Sequence, residues 1–121
     1  MMPVLRLSAI VLIALAGACR ETRGPAPAAA DAQAGETVIT RMACGSCHVI
    51  PGIEEADGHV GPSLVHFARR RTIAGVLVNT PANLAAYLKA PQAFVPGNVM
   101  PAEQLTDAEA RAAAAYLATL E

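Results

Sequence analysis

The chain has 121 residues, with 9 Lys+Arg against 10 Asp+Glu, and it is 54% hydrophobic but only 3% aromatic. This length predicts a single domain, and the near-zero net charge argues against a nucleic-acid-binding protein, which needs a basic face. Because the sequence has two Tyr, two Phe and no Trp, it lacks the large side chains that usually fill a small core. We therefore expect a non-protein group to supply part of the interior.

The N-terminus has the pattern of an export signal. A short start with one positive charge precedes an apolar run over residues 7–16, and small residues at 16–18 are typical of a cleavage site. We therefore expect residues 1–18 to be a signal peptide and the mature protein to lie on the periplasmic side of a bacterial membrane. Cys19 follows directly, which leaves simple cleavage and lipidation of Cys19 both open. A retained membrane anchor is disfavoured, because the run is short for a membrane span.

The segment from residue 19 to residue 34 is predicted to be a linker. It contains Pro and many small residues, and it shows no apolar periodicity. If Cys19 is lipidated, this segment tethers a folded part to a membrane, and otherwise it is a flexible tail. The folded domain is then predicted to cover residues 35–121.

The spacing of apolar residues predicts an all-α domain with three main helices. The first covers residues 35–44. The second begins after the N-cap Thr80 and stops before Pro91. The third begins with a capping box at residues 106–109 and runs to Leu120.

A fourth, shorter helix is predicted over residues 63–70. No stretch alternates apolar and polar residues convincingly. The apolar residues 76–78 are too few and too isolated to predict a sheet.

A Cys-x-x-Cys-His motif at Cys44, Cys47 and His48 indicates the chemistry. Two thiols at this spacing lie on one side of a helical turn and reach the two vinyl groups of a haem, while the histidine becomes an axial ligand of the iron. A thioredoxin-like pair needs a βαβ context, a structural zinc site needs four ligands, and a disulfide across this spacing is strained. The motif therefore predicts one haem c, covalently bound through both cysteines.

The second axial ligand is predicted to be Met100. It lies in an irregular loop bracketed by Pro96 and Pro101, where a methionine is hard to explain as core packing. Met42 is expected to pack in the core instead. His59 and His66 are alternatives that would give bis-histidine ligation, although the simpler expectation is that they are loop or surface residues.

These motifs resemble those of the class I c-type cytochromes, a family of small monohaem electron carriers that includes mitochondrial cytochrome c. The resemblance covers nearly all of residues 35–121. Residues 61–64 (Gly-Pro-Ser-Leu) are similar to the family's G-P-x-L loop, which implies that the Pro62 carbonyl accepts a hydrogen bond from His48. The spacing from Leu84 to Met100 is similar to that of mitochondrial cytochrome c.

The resemblance further implies the cytochrome c fold, with three to four helices around one haem. In that fold Tyr87 lies near the ligand sulfur, and the first and last helices cross closely at Gly35 and Tyr116. The haem covering that this implies is apolar and would favour ferrous iron; it comprises Leu64, Leu84, Phe94 and Leu105.

The sequence departs from the family in three places. The first helix lacks the usual aromatic residue, and the Trp that commonly bonds a haem propionate is missing. What holds the propionates therefore stays open. The loop between His48 and Pro62 is slightly longer than in mitochondrial cytochrome c, and its acids Glu54, Glu55 and Asp57 are expected to be solvated.

Ligation by His48 and Met100 would leave no open position on the iron, which predicts outer-sphere electron transfer rather than catalysis. We expect a monomer that carries single electrons between respiratory-chain partners, such as a terminal oxidase or a dehydrogenase complex. A haem c subunit of such a complex, and a haem enzyme or ligand sensor with a labile Met100, are the alternatives. The arginines at residues 69–71 either form a solvated face, pair with a propionate or steer docking.

Overall fold

The computed structural model of the protein describes residues 28–121. The elements in chain order are α1 (Ala29–Arg41), two 3-10 turns (Cys44–Ser46 and Phe67–Arg69), β1 (Thr72–Ile73), β2 (Leu77–Val78), α2 (Pro81–Lys89), α3 (Pro91–Phe94) and α4 (Asp107–Leu117). The predicted all-α class is confirmed, since the strands form only one short hairpin. The predicted signal peptide and Cys19 lie outside the described residues.

The first and last helices, α1 and α4, pack directly against each other. Gly35 lies at their contact, where a Cβ atom would come within 2.0 Å of the Ala112 carbonyl oxygen and 2.8 Å of the Tyr116 Cβ. Val38 and Ile39 on α1 are buried beside this contact. The close helix crossing that the resemblance implied for Gly35 and Tyr116 is therefore present.

Helix α2 begins and ends where the sequence predicts. The Thr80 hydroxyl accepts a hydrogen bond from the Asn83 backbone N–H at 3.2 Å, and the helix stops at Lys89 because a proline follows at position 91. Its buried face packs on α4 and includes Leu84.

Helix α4 has the predicted capping box. The Glu109 backbone N–H donates to the Thr106 hydroxyl at 3.2 Å, and the Thr106 N–H donates to Glu109 Oε2 at 2.8 Å. The helix ends at Leu117 rather than at Leu120. Leu120 is still buried, in the turn that follows.

Two ion pairs connect the helices within residues 28–121. Arg41 on α1 binds Glu109 on α4, and Lys89 at the end of α2 binds Asp107 at the start of α4. Both pairs therefore lie on the first turn of α4, where acidic side chains also complement the helix dipole.

The first helix differs from the prediction at both ends. It begins at Ala29 rather than Gly35, so residues 29–34 of the predicted linker are helical. The small residues there are mostly alanine, which has the highest helix propensity, and Asp31 complements the dipole in the first turn. The helix ends at Arg41 because Ala43 adopts a left-handed conformation with φ 53°.

The segment after Gly61 also differs from the prediction. The helix predicted over residues 63–70 is reduced to the 3-10 turn Phe67–Arg69, because His66 has φ 56° and cannot belong to a right-handed helix. The following hairpin was missed. Its strands pair antiparallel across a turn in which Ala74 and Gly75 both have positive φ.

None of the helices within residues 28–121 combines the length and the apolar character needed to cross a bilayer.

Candidate functional site

A cavity of about 420 Å³ collects most of the residues that the sequence analysis singled out. Seven predicted site residues line it: Cys44, Cys47, His48, Pro62, Leu64, Tyr87 and Met100. The lining is mainly apolar, with Leu84 and Leu105 as predicted. Phe94 is an exception, because it does not line the cavity and instead packs against the Tyr87 ring with centroids 6.2 Å apart.

The two alternative histidine ligands are not part of the cavity lining. His59 is exposed, and Nδ1 of His66 lies 2.7 Å from the backbone oxygen of Glu121. The structure therefore does not bring either histidine to the cavity that holds His48. Met42 does line the cavity and is half-buried against the core, where the sequence placed it.

The 3-10 turn Cys44–Ser46 presents the two thiols. His48 N–H donates to the Cys44 carbonyl at 3.1 Å, which closes a turn around the motif, and the Ser46 hydroxyl donates to the Ala43 carbonyl at 2.7 Å. The thiols of Cys44 and Cys47 are free and partly exposed. Both cysteines line the cavity, where their thiols are available for covalent attachment.

The orientation of His48 follows from its hydrogen bond. Nδ1 lies 2.7 Å from the Pro62 carbonyl oxygen, and because a carbonyl only accepts, Nδ1 carries the hydrogen. Nε2, the other ring nitrogen, is therefore the one placed to bind a metal, as it does in the neutral imidazole. Gly61 packs against the same ring, since a Cβ atom there would lie 2.3 Å from Cε1 of His48.

Met100 is held by two amide side chains that the sequence analysis did not identify. Oδ1 of Asn98 accepts the Met100 N–H at 2.9 Å, while Nδ2 of Asn98 donates to the Tyr87 hydroxyl at 2.6 Å. The Gln92 amide donates to the backbone carbonyls of Asn98 (3.3 Å) and Met100. The signal for Asn98 was its place after Gly97 in a turn, where asparagine commonly bonds the backbone two residues on.

Within residues 28–121, the cavity lining includes one basic and one acidic side chain, Arg70 and Glu103. Arg70 donates to the Ser63 carbonyl, and its guanidinium carbon lies 5.4 Å from the centroid of the Phe67 ring. Burial, with a smaller contribution from Glu103, raises the pKa of the Cys44 thiol. That thiol is therefore protonated at neutral pH before it reacts.

These residues fit haem c. The cavity combines an apolar lining, two thiols, an imidazole held through Nδ1 with Nε2 left over, and a thioether. A closed zinc site does not fit, because within residues 28–121 no group of three or more His, Cys, Asp or Glu is placed to hold a metal ion.

Comparisons with known proteins agree with this chemistry. The family model of cytochrome c matches residues 32–121. The chain is 36% identical over 91 residues to cytochrome c oxidase subunit 2 of Alkalihalophilus pseudofirmus, and 34% identical over 94 residues to that of Bacillus subtilis; each match covers 74% of this chain and 26% of the relative. The crystal structure of the c-type cytochrome SorU from Sinorhizobium meliloti superposes with a TM-score of 0.54 at 25% identity, covering 75% of this chain and 91% of that chain.

The chain therefore belongs to the cytochrome c family, and its fold is the cytochrome c fold. It carries one haem c, bound covalently through Cys44 and Cys47. It is a c-type haem electron carrier. The chain spans about a quarter of the length of the oxidase subunits that it matches.

Proposed function

We propose that this cytochrome carries single electrons by outer-sphere transfer between respiratory-chain partners outside the cytoplasm. The observation that supports this is that His48 and Met100 line the same cavity, with the His48 ring held through Nδ1 by the Pro62 carbonyl so that Nε2 is left to bind the iron. In this proposal the His48 imidazole and the Met100 thioether would hold the iron of the haem. The haem supplies the one-electron couple.

The chain's own residues shape that couple. If both side chains bind the iron, no position would remain for oxygen or peroxide, which favours a carrier over an enzyme or sensor. A neutral thioether and the buried leucines Leu64, Leu84 and Leu105 disfavour the extra positive charge of ferric iron. The expected result is a comparatively high reduction potential.

Arg70 is the basic side chain best placed to hold a haem propionate. It lines the cavity, whereas its neighbours Arg69 and Arg71 do not. The Ser63 carbonyl and the Phe67 ring hold its guanidinium in place. We propose that Arg70 takes the role that a Trp fills in relatives, while Arg69 and Arg71 remain solvated.

Electron exchange would take place at the mouth of the cavity. Val60 and Val99 both line the cavity and are 73% and 83% exposed. One precedes Gly61 beside the His48 ring, and the other precedes Met100. An apolar rim of this kind suits brief contacts with a redox partner, because it excludes water without strong binding.

The partner is proposed to be an oxidase complex. The support is the 36% identity to a domain-sized part of a protein named cytochrome c oxidase subunit 2. In one form of the proposal the protein is a monomeric shuttle, and in the alternative it is a haem c subunit of such a complex. Purification under mild conditions separates the two, since a subunit copurifies with the complex and a shuttle does not.

The first test replaces Met100 with Ala. Loss of the thioether opens the iron, so the ferric sulfur-to-iron absorption band should disappear, the reduction potential should fall, and the reduced protein should bind carbon monoxide. Met42→Ala is the matched control, because Met42 lines the same cavity but is not proposed as a ligand. An unchanged band in Met100→Ala would refute the ligand assignment.

A second test addresses export and anchoring. We propose that residues 1–18 direct export and that Cys19 is lipidated, with simple cleavage as the alternative. Cys19→Ser should move the mature, haem-stained protein from the membrane fraction to the soluble extract. Membrane association that persists in the Cys19→Ser variant contradicts lipidation.

A further inference from the structure

We propose that Asn98 is a positioning residue that sets the direction of the Tyr87 hydroxyl, so that the hydroxyl hydrogen points towards the Met100 sulfur. The inference rests on the proposed ligation by Met100. It concerns a residue that acts through another, since Asn98 bonds the hydroxyl and not the sulfur.

The orientation of the Asn98 amide follows from its partners. One end lies 2.9 Å from the Met100 backbone nitrogen. A backbone N–H only donates, so the amide oxygen must occupy that end. The NH₂ group therefore occupies the other end, 2.6 Å from the Tyr87 oxygen.

The direction of the Tyr87 hydroxyl follows in turn. An NH₂ group only donates, so the Tyr87 oxygen accepts, and its own hydrogen is left for another partner. Within the described residues the Tyr87 hydroxyl has no hydrogen bond other than that from Asn98. Tyr87 is 8% exposed and lines the cavity together with Met100. In this proposal the hydrogen is donated to the Met100 sulfur, since a thioether is a weak acceptor.

The consequence is electronic. A sulfur that accepts a hydrogen bond donates less electron density to the iron, which disfavours the ferric state. Asn98 therefore raises the reduction potential without touching the haem ligand's side chain. Gln92 has a different task, because it bonds only the backbone carbonyls of Asn98 and Met100.

The test is a double-mutant cycle on reduction potential. Asn98→Thr keeps an oxygen that can accept the Met100 N–H in a turn of the same kind, adds no charge, and is too short to donate to Tyr87. The potential should fall in Asn98→Thr and in Tyr87→Phe. In the double variant it should fall no further than in Tyr87→Phe alone.

Additive shifts would overturn the proposal, because Asn98 would then act independently of the hydroxyl. Gln92→Ala is the matched control: it should speed displacement of Met100 by added imidazole, and any change in potential should add to that of Tyr87→Phe. If Asn98→Thr does not accumulate, Asn98→Asp replaces it in the same cycle. The added charge shifts the potential by the same amount with and without the Tyr87 hydroxyl, so its contribution cancels when the two backgrounds are compared.

Failure of the ligand assignment is visible separately. The wild-type protein would then lack the ferric sulfur-to-iron band, before any variant is made. If the wild-type protein shows the band but the shifts in reduction potential are additive, only the role of Asn98 is contradicted.

Discussion

The two segments that carry the proposed axial ligands are held in different ways. The His48 wall, residues 44–64, is fixed by backbone contacts: Gly61 N–H donates to the Cys47 carbonyl at 2.7 Å, and Gly58 N–H donates to the Gly45 carbonyl at 3.0 Å. The Met100 wall, residues 91–105, depends on the side-chain amides of Asn98 and Gln92.

The glycines show the same difference. A Cβ atom at Gly61 would lie 2.3 Å from the His48 ring, whereas a Cβ atom at Gly97 would have no neighbour within 4 Å. Gly97 is required only by its φ of 81°. The His48 wall is thus close-packed around its ligand, and the Met100 wall is an open turn in which polar side chains set the ligand's position.

Gly61→Ala should have the largest effect, because the added methyl group overlaps the His48 imidazole. We expect a loss of about 3 kcal/mol in the free energy of unfolding, at the upper end for overpacking, and a lower yield of haem-stained protein. Guanidinium unfolding of the haem-loaded protein measures the free energy of unfolding.

Gly97→Ala is the control on the Met100 wall. It adds the same methyl group in open space, so only the left-handed backbone opposes it, at about 1 kcal/mol. Equal losses in Gly61→Ala and Gly97→Ala would contradict the difference between the two walls.

The next two variants sharpen the comparison, because each removes one hydroxyl group that contacts one of the two walls. The Tyr116 hydroxyl on α4 donates to the Pro51 carbonyl of the His48 wall at 2.7 Å. Tyr116→Phe should cost about 1 kcal/mol of stability and leave the reduction potential unchanged. Tyr87→Phe, the matched change on the Met100 wall, should lower the potential. A shift in potential in Tyr116→Phe would show that the two roles are not separate.

The smallest effect concerns pH, at the end of the Met100 wall where α4 begins. Hydrogen bonds to the Glu109 carboxylate from the backbone and side chain of Thr106, and then from Arg41, lower the pKa of Glu109. A lowered pKa in the folded state means that this stabilisation is fully present above the ordinary glutamate pKa of about 4.3. It is lost as the pH falls from there through the folded-state value.

Glu109→Gln retains the capping box geometry but removes the charge. The variant should therefore lose less stability than the wild type between neutral pH and pH 3, as measured by guanidinium unfolding at each pH. If the free energies of unfolding of the wild type and the variant fall in parallel over that range, the charged carboxylate does not contribute to stability.

Local signals in the sequence predicted a large part of the fold. Thr80 and Thr106 were recognised as N-caps because each supplies a hydroxyl to a backbone N–H three residues on. The haem attachment motif was equally readable, since its spacing matches one helical turn. These features depend on residues within a turn or two of each other.

The errors have a common cause. Ala43 has a positive φ just after the end of α1, and His66 has a positive φ just before the 3-10 turn Phe67–Arg69. Neither residue type signals a left-handed conformation as glycine does. Residues 29–34 were assigned to a linker because small residues occur in both linkers and helices. The high helix propensity of the alanines there, continuous with the packed part of α1, favours the helix.

The amino-acid sequence alone determined the class of cofactor, the helix caps and the identity of the ligand candidates, because each follows from side-chain chemistry over a few consecutive positions. Only the tertiary structure showed which of them share a cavity, that Phe94 stands outside it, and that the amide of Asn98 joins Tyr87 to Met100. Hydrogen bonds between separate elements depend on how the helices pack, and no local pattern in the chain encodes that geometry.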